Sequence, residues 1–208
     1  MKLIAGLFLV ASVGAVLGVP LQNAAKLHQL SHSNDAFSFK LMQLLEQKTH
    51  QNAKNLFISP FSIGTVLSMA LAGSDQATYG QIYDTLGFTN SSLAKSDVLQ
   101  SYHTLLHSLI HNPLGKENVL SVANSMAVQK NYALLESFLS DITGNFESRV
   151  FVEDFVGNAH KATKDINDWV NEQTRGKIPK LFDEDLDPST IMVLLNAIYF
   201  KGTWKYQF

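Results

Sequence analysis

The sequence contains no cysteine among its 208 residues. This absence excludes disulfide frameworks, thiolate metal sites and cysteine nucleophiles. The net charge is also small: the sequence has 16 lysines and arginines and 18 aspartates and glutamates, so its formal charge is -2. No strong field therefore attracts nucleic acid or an anionic membrane, and we predict neither as a partner.

The common catalytic motifs are missing as well. The sequence has no glycine-rich phosphate loop, no Gly-x-Ser-x-Gly turn and no His-Glu-x-x-His helix. These motifs place a phosphate cradle, a nucleophile or a metal at a defined point of a fold. Without them we predict that the protein is not an enzyme, and no pattern in the sequence predicts a cofactor.

The sequence does have ample apolar material and an N-terminal export pattern. It is 46% hydrophobic, which is enough to bury a sizeable core. Residues 1–18 have the layout of a signal peptide, with Lys2, an apolar stretch and then Gly18, after which we place the cleavage. The apolar stretch, about 15 residues, is shorter than the roughly 20 that span a bilayer, so secretion is favoured over a membrane anchor. Residues 19–32 are predicted to form a polar lead-in.

One glycosylation sequon agrees with export to the extracellular space. It begins at Asn90 and is completed by Ser91 and Ser92, in a segment that we predict to be a polar loop. We therefore predict a secreted glycoprotein with Asn90 as the candidate site.

Hydrophobic periodicity predicts an α+β fold. Helices dominate the first half of the sequence, the first of them capped by Asn34 and Asp35, and strands follow later. We predict a buried helix over 61–71, which Ser59 and Pro60 begin as N-cap and first residue. The remaining predicted helices are 77–86, 95–110, 134–145 and 159–174, and the predicted strands are 119–129, 150–155 and 191–200.

The segment 191–200 is apolar almost throughout. A continuous apolar run indicates a strand that is covered on both faces, and we place it at the centre of a sheet. Asn196 interrupts this run. A buried amide costs a few kcal/mol unless it is hydrogen-bonded, so Asn196 requires a partner.

Three histidines recur at every fourth position of the predicted helix 95–110 and its end: His103, His107 and His111. The outer two are about 12 Å apart along a helix, so the three cannot bind one ion, although adjacent pairs can share one. We favour a solvated histidine face and predict no metal site.

Four segments together resemble the serpin family, the serine protease inhibitor superfamily, in the family's order and spacing. They cover almost all of residues 33–208, and the resemblance is to the N-terminal portion of a secreted serpin. The segments are 55–63 followed by Gly73 and Thr78, 122–125 with 152–155, 166–170 running into 174–178, and 195–204.

The resemblance implies a fold and an activity. It implies helices packed on a large, mainly antiparallel central sheet in which 191–200 is a strand. The complete protein would be a serine-type endopeptidase inhibitor, whose cleaved reactive loop inserts beside that strand and traps an extracellular serine protease. The alternative is a non-inhibitory serpin that acts as a carrier, storage or binding protein. The helix 95–110 has Lys95 as its single lysine or arginine, so the basic heparin-binding helix of some serpins is not evident.

The resemblance also implies roles for individual residues. Ser59, Ser62 and Asn196 match a shutter-like polar cluster behind the middle of the sheet, and Trp204 matches a breach-like position at its top. Family packing positions are Asn55, Pro60, Gly73, Thr78, Asn167, Trp169, Thr174, Gly176 and Gly202. Simpler structural roles remain open: an N-cap for Ser59, a helix end for Gly73, core packing for Trp169, and a purely structural polar network for Asn196.

The sequence ends at Phe208, soon after Trp204. Serpin chains continue beyond this point to the hinge and reactive loop. We therefore expect a truncated serpin domain with no reactive site in this chain, which should not inhibit by itself. A genuine short product that binds a partner is a third possibility. For it we expect poor solubility, because 191–200 would form an unpaired apolar edge.

Overall fold

The computed structural model describes residues 21–49, 56–111, 118–204 and 206. The predicted signal peptide and Asn55 lie outside the described residues. Within them the chain forms seven helices and three strands. These are α1 (Leu21–Thr49), α2 (Pro60–Gly73), α3 (Gln76–Thr85), α4 (Phe88–Ser91), α5 (Lys95–His111), β1 (Val119–Gln129), α6 (Glu136–Asn145), β2 (Arg149–Glu153), α7 (Phe155–Gln173) and β3 (Met192–Lys201).

Helix α1 begins earlier than the sequence predicts. It starts at Leu21, so the expected cap at Asn34 and Asp35 is wrong, and 21–32 of the expected lead-in are helical. The reason is tertiary: Leu27 and Leu30 are buried in the core although most of their neighbours are polar. The Asn34 side chain instead accepts a hydrogen bond from the Tyr102 hydroxyl, at 3.3 Å.

Helix α2 begins as predicted. The Ser59 hydroxyl oxygen accepts a hydrogen bond from the Ser62 backbone N–H, and Pro60 occupies the first turn. Apolar and small residues along α2 are buried, including Met69 and Leu71. The expectation of burial all round is wrong at Ile63, which is 38% exposed.

The three strands form one small mixed sheet in the order β2, β1, β3. Strand β1 pairs parallel with β2 and antiparallel with β3 along a ladder from Val119–Lys201 to Val128–Met192. Strand β1 is therefore the central strand, and the prediction that β3 is central is wrong among the described residues. The prediction that both faces of this strand are covered is met, because helices pack on each side of β3.

Side chains of β3 alternate between two cores. Leu194 and Ile198 pack on the main core, to which α1, α2, α5 and α6 also contribute. Leu195 and Ala197 belong to a second core that α7 supplies on the other face. We call these the back and the front of the sheet. No helix in the described part of the chain is long and apolar enough to cross a membrane.

Candidate functional site

A polar pair lies between the two antiparallel strands. Asn124 of β1 and Asn196 of β3 are directly opposite in the ladder. The Asn196 Nδ2 donates to Asn124 Oδ1 at 2.7 Å, and the Asn124 Nδ2 donates to the Phe146 carbonyl at 2.8 Å. Asn124 is 3% exposed, and the Asn196 Oδ1 is buried with no hydrogen-bond partner in the structure. The amide predicted to need a partner finds it in Asn124.

Two serines form a second polar pair at the start of α2. The Ser62 hydroxyl donates to the Ser59 hydroxyl oxygen at 2.9 Å. Helix α2 packs against β3, and the serine pair lies at the start of this helix. No hydrogen bond between described atoms joins the serine pair to the asparagine pair. The structure thus groups Ser59 with Ser62 and Asn196 with Asn124, which sequence reasoning did not name as a site residue.

A hydrogen bond joins the residues just after β3 to the residue just before β1. The Thr203 backbone N–H donates to Asn118 Oδ1 at 3.0 Å. At Gly202 a Cβ would lie 2.8 Å from the ring of Phe200, so the ring leaves no room for a side chain there. Trp204 follows, and its side chain is 69% exposed.

Helix α7 lies against the front of the sheet and holds the segment that leads to β3. Asn167 is its main polar anchor: Nδ2 donates to the Phe182 carbonyl at 2.9 Å, while Oδ1 accepts from the Leu181 and Phe182 N–H groups at 2.8 and 2.9 Å. The Thr163 hydroxyl oxygen accepts from the Leu186 N–H at 2.8 Å. Hydrogen bonds to Asn167 and Thr163 thus bind the segment to α7, and Phe182 and Leu186 also pack against the core beneath the helix.

Trp169 packs α7 against the sheet, and Thr174 and Gly176 lie just after the last residue of the helix. Trp169 is 5% exposed and meets Phe151 of β2 edge-on, with ring centroids 6.3 Å apart. The Thr174 hydroxyl donates to the Val170 carbonyl and accepts from a backbone N–H four residues later. Gly176 has φ 77°, a left-handed conformation that glycine adopts without strain.

Two family packing positions differ in their surroundings. A Cβ on Gly73 would lie 2.7 Å from the ring of Phe138, so this glycine allows α6 to approach α2 closely. Thr78 lies exposed on α3. Asn90, the candidate glycosylation site, is exposed in the short helix α4 rather than in a loop.

Two buried titratable groups carry perturbed pKa values. Burial raises the pKa of the Tyr102 hydroxyl to about 12, so this group stays neutral as a hydrogen-bonding core residue. Burial also raises the pKa of the Glu153 carboxyl at the end of β2, and Asp165 raises it further, while Lys161 opposes both. Glu153 lies in the resembling segment 152–155, and two charged residues of α7, Asp165 and Lys161, act on its carboxyl.

A sheet with a buried helix behind it, a helix across its front and a polar pair between its strands defines a serpin-like architecture. The family model described as Serpin (serine protease inhibitor) matches residues 32–208. The chain belongs to the serpin family, whose members are protease inhibitors or binding proteins and not enzymes.

Known relatives agree with this assignment. The chain is 37% identical over 180 residues to Iripin-2 of Ixodes ricinus, covering 86% of this chain and 44% of the relative. It is 39% identical over 155 residues to Intracellular coagulation inhibitor 2 of Tachypleus tridentatus, covering 74% and 38%. The structure resembles reactive-loop-cleaved human thyroxine-binding globulin with a TM-score of 0.75 and 36% identity, covering 84% and 50%. The chain spans about half the length of the curated relatives it matches, or less.

Proposed function

We propose that the complete protein is a secreted inhibitor of an extracellular serine protease that acts by inserting its cleaved reactive loop beside β3. The observation that carries this proposal is the difference between the two edges of β3. One edge forms a full antiparallel ladder with β1, and within the described residues the other edge has no strand partner. Such an edge presents unpaired N–H and C=O groups that an added strand can satisfy.

Insertion at this edge would release free energy for two reasons. Each added residue pair forms ladder hydrogen bonds, and the inserted side chains bury apolar surface between the back and front cores. The loop-inserted state would then be more stable than the native state, which would persist because the barrier is high.

Helix α7 covers the front of the sheet and would have to shift during insertion. Its fixation by a small core and by hydrogen bonds from Asn167 and Thr163 makes such a shift less costly than moving a helix of the back core. This difference supports a role for α7 as the element that moves aside when the loop inserts.

The test uses the complete protein with a panel of trypsin-, chymotrypsin- and elastase-type proteases. We expect inhibition of at least one protease and a clear rise of the thermal midpoint after cleavage in the reactive loop, because the loop inserts. A proline placed in the hinge should abolish inhibition and the rise while leaving the native midpoint unchanged. Inhibition that survives the proline would contradict insertion.

A non-inhibitory carrier is the second candidate. The similarity to thyroxine-binding globulin, which has also been solved in complex with thyroxine, favours it. For a small-ligand carrier we expect cleavage of the complete protein without inhibition of any protease in the panel. The hinge sequence separates the two, since small residues there permit insertion, whereas charges or prolines oppose it.

Secretion is part of the main proposal and rests on residues 1–18 and on Asn90. One relative is named as an intracellular inhibitor, so family membership does not fix the compartment. We expect protein expressed in animal cells to appear in the medium with Val19 at its N-terminus. Asn90→Gln should remove a glycosidase-sensitive mass, because the exposed Asn90 is the sole sequon acceptor of this chain. Retention of residues 1–18 in cytosolic protein would contradict this part.

A further inference from the structure

A histidine pair and a carboxylate meet on the surface of α5. The His107 Nδ1 lies 3.0 Å from Glu147 Oε1, and the His111 Nε2 lies 3.0 Å from Glu147 Oε2. Glu147 belongs to the connection between α6 and β2 and has φ 47°. One ligand atom from each of the three residues can be chosen so that all lie within 4.8 Å of one another, a group that is unique within the described residues.

We propose that His107, His111 and Glu147 form a binding site for a zinc-class divalent cation. Zinc binds histidine nitrogens and carboxylate oxygens at about 2.0–2.1 Å, so neighbouring ligands of a tetrahedral ion are about 3.3–3.4 Å apart. The two nitrogen–oxygen distances are 3.0 Å, each to a different oxygen of Glu147, so small rotations of the three side chains would bring one carboxylate oxygen and both imidazoles to a single ion. Two imidazoles and one carboxylate would leave the fourth position to water.

The chemistry of the three ligands selects the class of ion. Imidazole nitrogens favour zinc, copper and nickel, whereas calcium and magnesium prefer all-oxygen sites. The histidine side chains are 60% and 53% exposed, so an ion can reach them, and the Glu147 side chain is 22% exposed and held between them. An ion replaces the hydrogen bonds of this contact with coordinate bonds.

Neighbouring contacts hold the site in position. The His103 ring, one turn earlier in α5, contacts the Gly144 carbonyl at 2.9 Å through Nδ1. Residue 146 precedes Glu147, and its carbonyl accepts the hydrogen bond from Asn124. A bound ion would therefore connect α5 to the turn that supports the asparagine pair, and it should stabilise the fold against unfolding.

The experiment titrates the complete, chelator-treated protein with zinc chloride by calorimetry and follows the thermal midpoint. We expect zinc to bind and to raise the midpoint, and magnesium and calcium to do neither. His107→Ala and Glu147→Gln should each weaken zinc binding at least about tenfold, because losing a ligand should cost no less than losing an outer-shell partner. Cobalt should give a visible absorption spectrum that these variants change.

The matched control is a histidine pair with the same spacing on another helix. His28 and His32 on α1 are exposed and their ring centroids are 4.4 Å apart, but they are not part of the three-ligand group. The double variant His28→Ala with His32→Ala should leave zinc affinity unchanged. Zinc binding that follows this pair, or that ignores substitutions at His107 and Glu147, overturns the proposal.

A measurement on the unsubstituted protein avoids any dependence on variant folding. Zinc should protect His107 and His111 from modification by diethyl pyrocarbonate, measured by mass spectrometry, and should leave His160 on α7 reactive. Equal reactivity of His107 and His111 with and without zinc would also overturn the proposal.

Discussion

The back and the front of the sheet are built in different ways. The back core contains large, fully buried side chains from five helices and a strand, among them Tyr102, Phe88, Phe146 and Met69. The front core is smaller and depends on one helix, α7, which contributes Phe155, Ile166 and Trp169. Front contacts are supplemented by hydrogen bonds from α7 to the segment that precedes β3.

This difference indicates which part of the molecule can open locally without global unfolding. Close-packed apolar residues unfold together, because removing one exposes many others. A single helix with a small core and polar anchors can loosen locally at a fraction of the global free energy of unfolding. The front is therefore the side on which an inserting strand meets the lower resistance, and the following predictions test the contrast in the complete protein.

The largest expected effect on stability comes from removing a large side chain from the back core. Phe146 is fully buried, with its ring centroid 5.4 Å from that of Tyr102. Phe146→Ala should lower the free energy of unfolding by about 3–5 kcal/mol, because it leaves a cavity among large side chains. Phe151→Ala is the matched change on the half-buried front, where we expect about half that loss. Denaturant unfolding measures both, and equal losses would remove the contrast between the faces.

An intermediate effect is expected from the anchor of α7. Asn167→Ala removes three hydrogen bonds to backbone groups and should cost about 1–3 kcal/mol. Hydrogen exchange should accelerate in residues 177–187 and stay unchanged in β1. Asn171→Ala, at an exposed position on the same helix, serves as the control with little expected effect. Accelerated exchange throughout β1 would show that the front does not loosen independently.

The smallest effect concerns the buried carboxyl of Glu153. Its pKa is raised in the folded protein, so the native state holds this proton to a higher pH than the unfolded chain does. Stability is therefore lost as the pH rises through the folded value, and at neutral pH the ionised carboxylate opposes folding. Glu153→Gln should stabilise the protein at pH 7 by up to about 1 kcal/mol and by less at pH 4.

The comparison for Glu153 is Asp168→Asn, which changes an exposed carboxylate on α7. Asp168 is 61% exposed and pairs with Lys164, so its replacement should alter stability little. Urea midpoints at both pH values provide the measurement. Destabilisation by Glu153→Gln at pH 7 as well as at pH 4 would show that this side chain is needed for packing rather than opposed by its charge.

Some elements could be predicted from sequence because their signals are local. The alternating pattern of β1 gave its bounds, 119–129, and the Ser59-Pro60 start of α2 follows from capping chemistry and the fixed φ of proline. Other features depend on distant residues. The start of α1 follows from the burial of Leu27 and Leu30, and the carboxylate beside His107 and His111 comes from Glu147, 36 positions beyond His111.

The sequence by itself indicated the family through four segments that resemble it, and it determined the α+β class and the need of Asn196 for a partner because apolar periodicity and caps act over a few residues. Tertiary structure alone decided that the partner is Asn124 and that β1 rather than β3 is central among the described strands. Strand order and side-chain proximity arise from pairing between residues far apart in the chain, and no local pattern encodes them.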